Sequence, residues 1–258
     1  MKVLLSPAKK INFDHTMPQS IEPTMAMFEK EANYLVSILK QYSLEEIQSL
    51  MSLSSDLALL NYERFQNWHF DDNLDVSNAA LWSFRGEVFS NLEVETLSSE
   101  SQIRANKMIR VLSGLYGYLR PSDLIQAYRL EMGTKLSFDH YKNLYAYWKE
   151  KNTTVLNEEL KQEETEPIVI NLASKEYSKS IDFKKVEARV ITPEFKDLKG
   201  DKYKVVSFWA KRARGLMARF IVENNICNSE DLLGFSYSGY YYKEDMSTID
   251  NPVFVRDH

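Results

Sequence analysis

The chain of 258 residues holds one cysteine, Cys227, which excludes a disulfide framework and any zinc cluster built on several thiolates. A lone cysteine fits a reducing compartment. Histidine is scarce too. His15, His69, His140 and His258 are scattered without metal-ligand spacing, so no metal and no cofactor is expected. No run of about 18 apolar residues occurs, which leaves nothing to span a membrane as a helix. The opening MKVLLSPAKK has too few apolar residues for a secretory signal core. These absences lead to the expectation of a soluble, cytoplasmic protein. The phosphate-loop pattern G-x-x-x-x-G-K-[ST] and the nucleophile elbow G-x-S-x-G are both missing, and no Cys–His pair is evident. No catalytic residue is therefore named. An excess of positive charge is lacking as well: 32 Lys and Arg face 37 Asp and Glu, a net charge of −5, and that total argues against a nucleic-acid binder.

The totals conceal an uneven distribution. Residues 157–166 (NEELKQEETE) carry five glutamates and one lysine, whereas residues 202–222 carry six cations and no acid. Local potential, not net charge, is what a polyanion meets. At about 100° per residue, the string WAKRARGLMARFI (209–221) gathers Ala213, Leu216, Met217, Phe220 and Ile221 on one face. Lys211, Arg212, Arg214 and Arg219 fall opposite, with Gly215 and Ala218 among them. Small residues between long cations allow a phosphate backbone to approach, and the arginine fork binds phosphate oxygens bidentately. A solvated amphipathic helix is the alternative.

With 44% hydrophobic residues the chain can bury a large core, and one domain over 1–258 is expected. Helical spacing marks 24–41, a capping box at Ser43-x-x-Glu46, a helix over 56–68 and another from Leu144. Asn78 to Phe84 reads as helical up to Gly86, inside FRGEVF, where Arg85 could serve a phosphate or a surface ion pair. The strand candidates are Val3–Leu5, Ile168–Leu172, Val186–Phe195 and Tyr203–Trp209, with short edge strands in the tail. The pattern is α/β (mixed α+β), with a mixed sheet at the middle and helices around it. Two strand ends carry polar residues: Ser6, Lys9 and Lys10 after the first, and Ser174 and Lys175 after Asn171. If these strands are parallel neighbours, both loops fall at one sheet edge, where α/β proteins bind ligands. There Ser174 reads as the N-cap of a helix whose free N–H groups attract an anion.

Glycine is sparse, at eight residues, and three of them, Gly114, Gly117 and Gly133, fall in LSGLYGYLRPSDLIQAYRLEMG (112–133). A helix is expected from the box Ser99-x-x-Gln102 to a C-cap beside Gly114. A tight turn to Gly117 follows, then a second short helix from Pro121. This helix-hairpin-helix reading offers backbone N–H groups to phosphates, with Arg120 and Arg129 aimed into a shared cleft. A plain change of chain direction is the alternative.

Four strings, LLSPAK (4–9), 112–133, INLASKEYSKS (170–180) and SFWAKRARGLMARFI (207–221), together resemble the YaaA family of bacterial peroxide-stress-resistance proteins, in the same order and spacing over the whole chain. The resemblance implies a single-domain α/β fold of unusual topology with a positively charged cleft and a helix-hairpin-helix element. It also implies binding of duplex and branched or bubbled DNA, in defence against hydrogen peroxide and in repair, with no cofactor. Charge then points to Lys9, Gly114, Gly117, Arg120, Arg129, Lys175, Lys211, Arg212, Arg214 and Arg219 as the phosphate-binding set. Gly114 and Gly117 are spaced one residue wider than in a standard helix-hairpin-helix. Two other functions stay open. One is an enzyme on a nucleotide or other phosphorylated molecule, with Lys9, Lys175 and Arg214 on phosphate and Glu131 or a tyrosine as acid or base. The other is an adaptor acting through Tyr237, Tyr240, Tyr241 and Tyr242.

Overall fold

A computed structural model describes residues 1–70, 76–163 and 165–257. Glu164 of the acidic run and His258 lie outside the described residues. In chain order the strands are β1 (Lys2–Leu5), β2 (Lys10–Ile11), β3 (Thr24–Met25), β4 (Asn78–Ala79), β5 (Phe84–Arg85), β6 (Ile109–Ser113), β7 (Gly117–Leu119), β8 (Asp123–Ile125), β9 (Ile168–Asn171), β10 (Arg189–Ile191), β11 (Glu194–Lys199), β12 (Lys202–Lys204), β13 (Tyr241–Tyr242) and β14 (Val253–Arg256). The helices are α1 (Glu29–Leu39), α2 (Leu44–Met51), α3 (Ser55–Gln66), α4 (Ala80–Ser83), α5 (Phe89–Leu92), α6 (Ser99–Met108), α7 (Leu144–Leu160), α8 (Lys175–Ser178) and α9 (Ser207–Glu223). The architecture is mixed α/β. Among the described residues, no helix is long and apolar enough to cross a membrane.

The largest sheet has the order β10-β9-β1-β6-β7. β1 pairs in parallel with both β6 and β9, β9 pairs in parallel with β10, and only β7 runs antiparallel, against β6. Strands covered on both faces read as continuous apolar runs, and KVLL in β1 and IVIN in β9 are buried at every position. The chain places β6 on one side of β1 and β9 on the other, so a crevice opens beyond the carboxyl ends of β1 and β9. A second sheet, β12-β11-β14-β13, closes over Phe195, Phe235, Tyr240 and Phe254. α9 packs on α5, α6 and β11.

Several local signals act as the sequence reads. Ser43 and Glu46 form a reciprocal capping box at α2. At α6 the cap lies one residue earlier than expected: Ser98 Oγ accepts from Ser101 N, and Gln102 Nε2 donates to the Val94 carbonyl instead. α1 starts at Glu29 rather than residue 24, because Thr24 and Met25 pair with β8. Asn78 to Phe84 is strand, one helical turn, then strand. Of the 203–209 run only Tyr203 and Lys204 are strand, as the end of β12; the chain then turns into α9.

The helix-hairpin-helix is corrected outright. α6 ends at Met108, residues 109–113 are β6, and Gly117 opens β7, so the element is a β-hairpin; Pro121 leads into β8 and not into a helix. Parallel pairing of Ile109 with Val3 and Val111 with Leu5 overrides the helical spacing of Met108, Ile109 and Leu112. In the tyrosine tail, Tyr240 is buried with its hydroxyl on Asp197, whereas Tyr241 is exposed and, with Tyr242, pairs with β14 at the sheet edge.

Candidate functional site

The loops after β1 and β9 are stitched together at their first residues. Ser174 N donates to Ser6 Oγ at 2.8 Å, the two hydroxyls lie 3.2 Å apart, and Leu172 N donates to the Leu4 carbonyl at 3.0 Å. Beyond this seam lies a cavity of about 390 Å³. Its walls come from the two loops, from residues 85–89 and from α9. Five cations line it, Lys9, Lys10, Arg85, Lys211 and Arg214, against three carboxylates, Glu87, Glu131 and Glu176. The local balance is therefore positive on a chain that is negative overall.

Most of these charges have partners. Lys9 Nζ lies 2.7 Å from Glu131 Oε1, and Arg129 Nη2 reaches the same oxygen at 3.3 Å. Glu176 Oε1 accepts from Gly133 N at 3.0 Å. Arg85 donates to the Phe84 and Trp82 carbonyls. Arg214 differs. It is half-buried between Ala213 and Gly215, and among the described residues no side chain or carbonyl is bonded to it. Burial alone acts on it and lowers its guanidinium below the ordinary value. An arginine kept in a wall without a counter-charge has its full set of donors available to an anion. Tyr177 on the opposite wall is buried, and that burial, with Tyr128, Glu176 and Glu131 nearby, holds its phenol protonated.

α9 divides its cations between two tasks. Lys211 and Arg214, one turn apart, face the cavity. Arg212 and Arg219 instead clamp the α5 segment. Arg212 donates to Asn91 Oδ1 at 3.3 Å and lies over the Trp209 ring, while Arg219 holds the Leu92 and Glu93 carbonyls and pairs with Glu223 at 2.7 Å. The small residues between them meet protein, not phosphate. A Cβ on Gly215 would sit 2.0 Å from the Val88 carbonyl oxygen, and Ala218 is fully buried.

The hairpin residues leave the set for a similar reason. Leu115 N and Tyr116 N both donate to Ser113 Oγ, and both residues are buried, so those amides are not offered to a ligand. Gly117 adopts φ +68° beneath Trp148, whose ring carbon would lie 2.4 Å from a Cβ there. Gly114 lets the Leu130 carbonyl pass 2.1 Å from where a Cβ would stand. Its effect on the cavity is indirect: it admits the segment that carries Arg129 and Glu131. Arg120 is bonded to Asp123 and to the Met25 carbonyl, and so does not face the cleft. Lys175 is exposed and does not line the cavity; α8 spans four residues, and the Ser174 amide before it is taken by Ser6. Of the ten residues, Lys9, Lys211 and Arg214 line the same cavity, and Arg129 joins through Glu131. Sequence reasoning missed Glu176 and Tyr177 as lining residues. It also gave no hint of the buried pair between Arg110 in β6 and Glu159 in α7, which lies apart from the cavity.

The family whose description is "Peroxide stress protein YaaA" matches residues 1–246. A UPF0246 protein of Shewanella loihica is 46% identical over 258 residues, covering 100% of this chain and 99% of its own length. A UPF0246 protein of Flavobacterium psychrophilum is 42% identical over 256 residues, covering 99% of this chain and 100% of its own. One from Polynucleobacter asymbioticus is 44% identical over 257 residues, with 99% and 98% covered.

Proposed function

We infer, for a chain that belongs to the peroxide stress protein YaaA family, that it serves the oxidative-stress response in the cytoplasm as a DNA-binding protein, gripping duplex and branched DNA largely without sequence preference. The observation that carries this reading is one cavity mouth with exposed Lys9, Lys10 and Lys211 around it and an unpartnered Arg214 below. Cations on flexible stems at a rim fit phosphates of any sequence. Lys9 is paired with Glu131, so the two rim lysines without an ion pair among the described residues, Lys10 and Lys211, imply about two neutralised phosphates, hence a slope of log K against log salt near −1.8. Affinity then falls about twelvefold between 50 and 200 mM salt. The test is a titration of labelled duplex against salt for the wild type, Lys10→Ala and Lys211→Ala, with each substitution flattening the slope by about one. Absence of binding at low salt, or an affinity that ignores salt, sinks the reading.

A second reading, turnover of a phosphorylated small molecule, draws on one feature: Glu131, mostly buried and next to Lys9 in a cavity of small-molecule size. Incubating the protein with nucleotides and sugar phosphates, and finding conversion that Glu131→Gln abolishes, is what would favour it.

A further inference from the structure

The cavity and the rim ask for different things. The rim lysines suit a polyanion lying across them. The space beneath, about 390 Å³, is within the range that takes one small molecule, and an intact duplex cannot enter it. Its lining is also the wrong composition for phosphate alone. Glu131 and Glu176 each use one oxygen, Oε1, on protein donors. Their second oxygens, among the described residues, accept no hydrogen bond. Pro7, Ala8, Val88 and Leu172 supply apolar wall. A ligand that satisfies this set has one anionic group for Arg214, hydrogen-bond donors for the carboxylates and an apolar body between them. A second or third phosphate is disfavoured by those carboxylates.

We propose that this cavity is a pocket for a single nucleotide unit turned out of the DNA stack, its one phosphate on Arg214 and the amino edge of its base toward Glu131 and Glu176, while the rim lysines hold the phosphates on either side. The proposal rests on the DNA-binding reading above and adds to it a preference for unpaired positions. Extrusion costs least at a bubble, mismatch or junction, where the base is already unstacked. The pocket therefore sorts DNA by local pairing without reading sequence, and Arg214 is the residue that does the sorting.

The experiment uses the full chain and two labelled duplexes identical except that one carries a single unpaired 2-aminopurine, whose fluorescence rises when it leaves the stack. The expected result is about tenfold tighter binding of the unpaired substrate, the value of one charge-assisted contact set, with a fluorescence change that saturates along the same curve. Arg214→Gln should abolish the difference between the unpaired substrate and the paired duplex, whereas Lys10→Ala should weaken both alike and keep the difference. Arg214→Lys, which keeps the charge without the fork, should recover part of the difference. Deoxyadenosine monophosphate at millimolar concentration should erase the preference in the wild type, and equimolar inorganic phosphate should not. Equal affinity for the two duplexes overturns the pocket and leaves the DNA-binding reading standing, whereas binding of neither overturns both. If Arg214→Gln fails to fold in a thermal melt, the nucleotide competition on the wild type decides: competition equal to that of phosphate counts against recognition of the base.

Discussion

Replacing Gly215 by alanine sets two effects of opposite sign against each other, and the structure says which is larger. In the middle of α9, glycine costs about 1 kcal/mol relative to alanine, so propensity alone makes Gly215→Ala stabilising. The added methyl, however, lies 2.0 Å from the Val88 carbonyl oxygen, 2.9 Å from its carbon and 3.1 Å from Asn91 Cβ. The obstacle is backbone, which cannot rotate aside. Relief requires α9 to back away from the α5 segment by more than an ångström, against the bonds from Arg219 to the Leu92 and Glu93 carbonyls. Overpacking of this kind costs about 3 kcal/mol, the upper part of its usual range. The net loss is about 2 kcal/mol, and a chain of this size loses roughly 4–8 °C in Tm. Differential scanning fluorimetry reads it, with Gly234→Ala as the control, since a Cβ there meets nothing closer than Phe220 at 3.9 Å. An unchanged or raised Tm for Gly215→Ala refutes the steric argument. If DNA affinity also fell while Tm held, Gly215 would have to be granted the phosphate-approach role that the sequence suggested.

Gly117→Ala should be worse still, because the residue must both hold φ +68° and displace the Trp148 ring; a loss of about 3 kcal/mol or more in urea unfolding is expected, and a loss under about 1 kcal/mol contradicts it. Glu159→Gln removes the charge opposite Arg110, whose Nε lies 2.8 Å from Glu159 Oε2 and whose side chain is almost fully buried; the uncompensated cation should cost about 3–5 kcal/mol, and a double variant with apolar residues at both positions should recover much of it. Glu163 gives the pH dependence. Burial pushes its carboxyl up, but hydrogen bonds from the amino terminus and Lys2, together with their charges, outweigh that and leave it below its ordinary value. A carboxyl depressed in the folded state stabilises above its unfolded pKa, and that stabilisation is lost as pH falls through the folded one. The Tm difference between wild type and Glu163→Gln should therefore be constant near neutrality and shrink as pH drops below about 4; a difference that persists in acid would mean that the pair contributes nothing electrostatic.

Much of the scaffold was open to pattern reading because its signals are local. The Ser43–Glu46 box, the buried runs of β1 and β9 and the long helix from Leu144 each announce themselves within a few residues. The 109–113 segment did not. Ile109 and Leu112 continue the spacing of α6, and a short apolar run cannot be told from helix by period alone. What decides it is a strand more than a hundred residues earlier in the chain. The site followed the same division. Lys9, Lys211 and Arg214 were visible as cations near strand ends or on a charged helix face. That Arg212 and Arg219 turn to α5 while Lys211 and Arg214 turn to the cavity depends on what packs beside α9, and no count along the helix reveals it. The glycines misled for a similar reason: sparse glycine does mark close approach, but the neighbour at Gly114, Gly117 and Gly215 is this chain itself.

The parallel pairing of β1 with β6 and β9 also sets a timetable for the ribosome. Lys2 to Leu5 are made long before their partners, and Val3 waits for Ile109 and Lys2 for Val169 before either edge is covered. Pairings so distant in sequence close slowly, and until they close, an apolar strand stands with both edges bare, a template for wrong partners. The cavity is completed later again, since α9 follows β9 in the chain. A nascent chain short of residue 207 thus has its first strand and lacks the wall that carries Lys211 and Arg214. Both walls of the cavity therefore exist only once translation has passed α9.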